Sequence, residues 1–325
     1  MRRYAASRAH SGQRGIALLT ALILVAIATV LATAIGFASI MAARRASTVF
    51  GADQSLLVAE GAEAIEANLL KQNGPASQSD SIDQLWAHSW DGIPVFPGVV
   101  LEHMQLEDEQ GKFNLNDLAA DGTDDQEAIN IFQRLLTNLG LEPKWAGLIA
   151  DWIDADTVPY QPDGAEDSEY LSQTPQYRPP NQPLTSISEL LALPGFGRQR
   201  FDRLAPYITA LPPGVDSKPI NLCTAPGPVL DALSGESAYS NDPTSLRNNR
   251  LQNGCVPTTT VFNSSLTRLS ADEKSKVTAF IGMKSHYFRL HTIITIGTAR
   301  FTLYSLLQRD DTGQIRPILR TFGKE

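Results

Sequence analysis

Residues 145–177 carry seven carboxylates, Asp151, Asp154, Asp156, Asp163, Glu166, Asp167 and Glu169, and no lysine, arginine or histidine. Like charges packed this densely repel one another unless a cation offsets them. Hard cations such as calcium take six to eight oxygen ligands, and an irregular loop can add carbonyls to carboxylates. The run "DWIDADTVPYQPDGAEDSEY" supplies both. It is not an EF-hand, because Val158 stands where a third acid would be needed and the twelfth loop position is Ala165. Two other readings stay open from the residues alone. One is a solvated acidic surface. The other is a hydrolase-type carboxylate pair, for which the sequence fixes no separation.

A second motif follows at "LTSISELLALPGFGRQRFDRLAPYIT". It resembles a helix-hairpin-helix, in which glycines expose backbone amides at a helix start and can grip a phosphate. Arg198, Arg200 and Arg203 would then contact nucleic acid. The bland alternative is a tight joint between two packed helices, with Leu190, Leu193, Phe196, Phe201, Leu204 and Ile208 in the core. Composition favours the joint. The chain has a formal charge of −8, and without the four arginines of residues 1–15 the remainder sets 23 basic residues against 35 acidic ones. So acidic a body is a poor binder of a phosphate backbone. No catalytic set emerges. His88, His103, His286 and His291 are scattered, and no Gly-x-Ser-x-Gly, His-Glu-x-x-His or phosphate-loop signature occurs.

The chain begins with a basic leader ending in Gly15, and residues 16–43 contain no charge. As a helix at about 1.5 Å per residue they span roughly 40 Å, more than the ~30 Å hydrocarbon core. A secretory signal has a shorter apolar region, of about 7–15 residues. "ATA" at 32–34 could still imitate a cleavage site, and an uncleaved anchor also fits. The leader arginines outweigh Arg44 and Arg45, which favours a cytoplasmic N-terminus and an external body. Outside the cytoplasm Cys223 and Cys255 would pair, closing a loop of roughly 33 residues worth about 3–4 kcal/mol. In the cytosol both would be buried free thiols.

Helical periodicity continues from Val49 through Leu56, Leu57, Ala62, Ile65, Leu69 and Leu70, and Asn73-Gly74 is a helix terminator. Residues 75–95 read as a polar connection. "VVLEHMQLEDEQGKFNLNDL" alternates and predicts a hairpin turning at Glu109-Gln110-Gly111. Helical patterns follow over "DQEAINIFQRLLTNLG", "EPKWAGLIADWIDAD" and both sides of "LPGFG". A variable loop runs to about 260, a short helix lies near 271–282, and three strands close the chain, with turns near Gly297 and at Asp310–Gly313. Strands on both sides of a helical block predict an α+β fold with an inserted all-α domain, with two independent consecutive domains as the alternative. The predicted divisions are a leader (1–15), a membrane helix (16–43), a first α+β part (44–119), the helical insertion (120–215) and a second α+β part (216–325).

The basic leader ending in Gly15 resembles a type IV prepilin signal. The family places a glutamate at the fifth mature residue, but here that position is Thr20. This departure, together with "QGKFNLNDL", "DWIDAD…GAEDSEY", "SISELLALPGFG…LAPYITALP", "INLCTAPGPVL" and "YFRL" in that order, resembles the type II secretion system protein K family of minor pseudopilins. The resemblance implies a pseudopilin fold, a long N-terminal helix packed on an antiparallel sheet, and no enzymatic activity. It implies cleavage by a prepilin peptidase between Gly15 and Ile16, with the new terminus methylated. It implies a single pass of the bacterial inner membrane with the body in the periplasm. It further implies bound structural calcium, with Asp151, Asp154, Asp156, Glu166 and Asp167 as the expected ligands. The implied partners are the minor pseudopilins I and J in a tip complex, other pseudopilins and the inner-membrane assembly components. Nucleic acid is not among them.

Overall fold

Helix α1 (Gln13–Gln72) carries the apolar run and the amphipathic run without a break. This computed structural model describes residues 13–72, 77–119, 122, 125–214 and 217–323, so most of the leader and the terminator at Asn73-Gly74 lie outside the described residues. By contacts the chain divides into residues 1–54 and Ser55–Glu325. In the first unit the large apolar side chains from Ile16 to Ile40 are exposed. Its hydroxyls are satisfied within the helix: Thr20 donates to Ala17 O at 3.0 Å, Thr29 to Val25 O at 2.8 Å and Thr33 to Thr29 O at 3.0 Å. A helix that keeps its polar groups this way suits a hydrocarbon environment.

In the second unit a five-stranded sheet runs in the order β1-β2-β7-β8-β9, with every neighbouring pair antiparallel. Its strands are β1 (Trp90–Phe96), β2 (Val99–Asp108), β7 (Tyr287–Ile296), β8 (Ala299–Arg309) and β9 (Ile315–Phe322). The three closing strands and their turns at Gly297 and Gly313, both at positive φ, match the sequence reading. Two expectations fail here. The predicted connection at 75–95 contains most of β1, which forms the hairpin with β2 through Gly98 (φ +80°). The hairpin expected at 109–111 does not form. Instead, a 3₁₀ turn (Glu109–Gly111) leads to β3 (Phe113–Asn114), which pairs in parallel with β4 (Ile208–Thr209). The cause is burial: Phe113, Leu115, Leu118 and Ala119 all enter a core, so this segment has no solvent face to alternate with.

Between β2 and β7 the chain builds a helical crown. Its helices are α2 (Gln126–Asn138), α3 (Trp145–Ile153), α4 (Asp167–Tyr170), α5 (Gly197–Leu204), α6 (Gly227–Ser234), α7 (Pro243–Asn253), α8 (Thr259–Ser265) and α9 (Ala271–Thr278). Asp125 caps α2 by accepting from Glu127 N and Ala128 N at 3.1 and 3.2 Å. The first helix of the "LPGFG" joint is 3₁₀ (Ile187–Ala192) rather than α. The expected variable loop holds α7, and α8 follows at its end. Short parallel strands β5 (Ile220–Asn221) and β6 (Ile281–Gly282) tie the late crown together. Cys223 and Cys255 form a disulfide, and the buried Arg250 spans the same joint by donating to Leu222 O at 2.6 Å and Val256 O at 2.7 Å.

Two cores result. Crown residues such as Phe132, Ile149, Phe196, Leu222, Leu230 and Phe262 form one cluster. Val58, Ala62 and Leu70 of α1 form the other with Met104, Phe288 and Leu303 of the sheet. Fully burying each such side chain is worth roughly 1.5–3 kcal/mol. The apolar residues from Ile220 to Phe280 join the crown core, so the helical core extends well past the predicted 120–215.

One residue of the α1 stripe breaks the pattern. Glu66 falls between Ala62 and Leu70, is fully buried, and neither carboxylate oxygen has a hydrogen-bond partner among the described residues. Burial pushes its pKa up to about 8. The folded state therefore holds the proton more tightly than the unfolded chain, and stability falls as pH rises from the usual carboxylate range to about 8. Glu66→Gln is expected to flatten thermal stability across that window. Glu66→Leu should raise the melting temperature near pH 8 by roughly 4–8 °C, on the order of 2 kcal/mol. Melts of the three proteins over the same pH range check both.

Candidate metal centre

The long acidic loop folds back on the end of α3. Asp151 lies in the last turn of α3, Asp154 is its C-cap, and Glu166 immediately precedes α4. One carboxylate oxygen from each of the three lies within 4.8 Å of the others, and all three residues are buried. Tyr160 N donates to both oxygens of Asp151, at 3.0 and 3.2 Å, which fixes that carboxylate. Glu166 has no hydrogen-bond partner for either oxygen among the described residues. Its pKa is raised to about 7 by burial and by the carboxylates of Asp151, Asp154, Asp156 and Asp167.

The other two expected ligands stand outside this trio. Asp156 is exposed and accepts from Val158 N at 2.7 Å, a local turn. Asp167 pairs with Arg178 at 3.1 Å. Asp163 and Glu169 are exposed. Two supporting residues carry little signal in the sequence. Gly164 sits so close that a Cβ there would fall 2.2 Å from Asp151 Oδ2 and 2.3 Å from Tyr160 N. Asn181, outside the acidic run, donates to Asp156 O at 2.9 Å and takes φ +47°. Trp152, Tyr170 and Tyr177 wall the loop with ring centroids 5.3 to 6.4 Å apart.

Three buried carboxylates converging with an unpartnered glutamate suit a hard cation. Asp151, Asp154 and Glu166 would hold it directly, and Asp156 and Asp167 would add field. The arginines of the hairpin motif are occupied elsewhere. Arg198 pairs with Asp202 at 2.7 Å, Arg200 donates to Gly195 O at 3.0 Å and Phe196 O at 3.1 Å, and Arg203 reaches Leu139 O at 3.5 Å. Leu190, Leu193, Phe196, Phe201, Leu204 and Ile208 are buried in the crown core, so the motif serves as the packing joint.

A family profile described as "Type II secretion system (T2SS), protein K" matches residues 111–213. The type II secretion system protein K of Pseudomonas aeruginosa is 31% identical over 96% of this chain and 94% of its own length. The chain belongs to the type II secretion system protein K family. The Klebsiella pneumoniae protein K is 37% identical over 61% of this chain and 63% of its own length. The chain also matches a crystal structure titled as the GspK-GspI-GspJ complex from enterotoxigenic Escherichia coli. The TM-score is 0.72 at 23% identity, covering 86% of this chain and 100% of that one, which establishes the shared fold. The protein is a minor pseudopilin of type II secretion, and its helix, antiparallel sheet and crown are the pseudopilin fold with a large insertion.

Gly164→Ala is expected to force Asp151 and the Tyr160 amide apart. It should lower thermal stability by about 1–3 kcal/mol through overpacking. Gly61→Ala, inside α1 and meeting nothing within 4 Å, is the contrasting substitution and should raise stability by about 0.5–1 kcal/mol. Calorimetry of both variants makes the comparison.

Proposed function

We propose that this protein caps the tip of the pseudopilus, initiates its assembly and so supports protein export across the outer membrane. The observation that carries this reading is the crown, residues 109–286, inserted between two neighbouring strands of a pilin-type sheet. A bulk of this size, inserted where β2 ends and β7 begins, would leave no room for another subunit to stack against it. Thr20 supports the same position. A filament subunit uses an acid near its start to neutralise the terminus of the subunit assembled before it, and a first subunit has no predecessor. Here the Thr20 hydroxyl is spent within its own helix.

The proposal includes a prepilin peptidase that cuts between Gly15 and Ile16 and leaves a methylated Ile16 as the assembly handle. It includes a single pass of the inner membrane by residues 16–43, with the body in the periplasm, where the Cys223–Cys255 bond is at home. The solved relative is titled as a complex with I and J, and the corresponding minor pseudopilins are the proposed partners here. Other pseudopilins and the inner-membrane assembly components would engage the same helix. Calcium at Asp151, Asp154 and Glu166 would play a structural role, holding the loop of residues 154–166 against α3.

Two measurements test this reading. Co-expression with a prepilin peptidase should yield a mature chain whose mass begins at Ile16; an intact leader, or a cut after Ala34, would remove the assembly handle. Chelation should open the acidic loop to proteolysis while leaving the sheet protected. Glu166→Gln should be protease-sensitive at every calcium level, and equal cleavage with and without chelator would count against the metal.

A further inference from the structure

The inner face of the sheet is only partly covered. Five strands at about 4.8 Å spacing make a face roughly 19 Å across, and one helix about 10 Å wide cannot cover it. The core cluster shows which part α1 takes. Its side chains, with Trp86 and Ala87 of the 3₁₀ turn Leu85–Ala87 beside them, pack with β2, β7 and β8, Ile315 of β9 adds to the edge, and no β1 side chain belongs to that cluster. On the far side Glu63 of α1 pairs with Arg320 of β9 at 2.6 Å, with Glu60 at 3.4 Å from the same arginine, so α1 is drawn toward β9. The uncovered strip is therefore along β1.

That strip is apolar. Trp90, Ile93 and Phe96 stand directly opposite Met104, Leu101 and Val99, which are buried under α1. Opposite residues of an antiparallel pair share a face, so all three project to the inner side. They are 38%, 37% and 61% exposed. At 100° per residue, Ile65 and Leu69 fall on the flank of α1 away from Glu60 and Glu63, and so toward β1. Ile65 is 53% exposed. The opposite face of the same strand is polar, with Asp91 bound to His103 at 2.7 Å. The strand edge itself is a poor template for strand addition, because Pro94 offers no N–H and the β1–β2 register is irregular beside it. Side-chain packing, not ladder extension, is what this surface offers.

We infer that the groove between α1 and β1 receives one amphipathic helix from a neighbouring minor pseudopilin, lying alongside α1 on the same sheet. This rests on the assembly proposed above and names the surface through which it occurs. The remaining width, roughly 9 Å, is the separation at which two packed helices sit side by side. The bare floor calls for an apolar stripe at helical spacing, as in helix-in-groove recognition.

The test uses the full chain in detergent and the purified I and J subunits of the same secretion system. Binding is compared for wild type, Ile93→Asp, Phe96→Asp and, on the outer sheet face, Leu319→Asp. All three positions are exposed, and unchanged melting curves confirm that the variants fold. The two groove variants should weaken binding by roughly 10–100-fold, as for anchors at an interface centre, with Leu319→Asp near wild type. Wild-type binding by both groove variants would overturn the groove while leaving assembly with I and J intact. A change in self-association instead would assign the groove to a second copy and overturn the inference. No binding of I or J by the wild-type chain would overturn the assembly reading and the groove together.

Discussion

Everything above the sheet hangs from three consecutive residues at the end of β2. Asp108 is buried and accepts from Asn221 Nδ2 at 2.8 Å, Thr224 Oγ1 at 2.6 Å, Ser285 Oγ at 2.7 Å and Gln110 N at 2.9 Å. Burial pushes its pKa up to about 6 against the pull of those donors. Burial would also raise Glu109, but Lys112 at 2.7 Å and Arg289 at 3.1 Å outweigh it and hold the carboxyl below its ordinary value. Gln110 accepts from the backbone of His286 and Tyr287, where the chain re-enters the sheet, and donates to Pro219 O at 3.0 Å. One turn thus binds the start of the crown, its middle and its exit. Removing one partner of such a buried set would strand the others without water, which makes the joint rigid.

Rigidity at that joint connects the two cores. The sheet closes β2 against β7 only after the whole crown has been made, so the pilin-type core and the crown core depend on one junction. Asp80 reinforces it: Arg309 of β8 grips its carboxylate, and Ser285 N donates to it at 2.9 Å. The buried trio Asp151, Asp154 and Glu166 belongs to the end of α3 and the start of α4, separate elements of the crown. A cation there would stiffen the crown locally without changing how it is mounted.

Much of this was readable from residue patterns, and each failure has its own physical reason. The long uncharged run of α1, the patterns of α2 and α3, and the turn residues of the closing strands are plain in the sequence. The acidic run was conspicuous because its like charges lack counterions, and the trio Asp151, Asp154 and Glu166 that converges lies within the ligand set the family resemblance implied. β1 escaped because "WDGIPVF" is exposed along its length and punctuated by glycine and proline, so it lacks alternation. α7 escaped because "PTSLRNNRLQN" has no apolar face; a disulfide and one buried arginine anchor it instead. The crown's true extent was hidden because residues 220–280 reach its core through space rather than along the chain. Glu66 looks like an ordinary surface glutamate until the helix is laid on the sheet.

We propose that the rigidly mounted crown confines this subunit to one end of the filament. Gold-labelled antibody against the crown, applied to assembled pseudopili and viewed by electron microscopy, tests it most directly. Label at a single end of each filament is the predicted result. Label spaced along the shaft would mean that subunits stack above the crown, and the claim would be wrong.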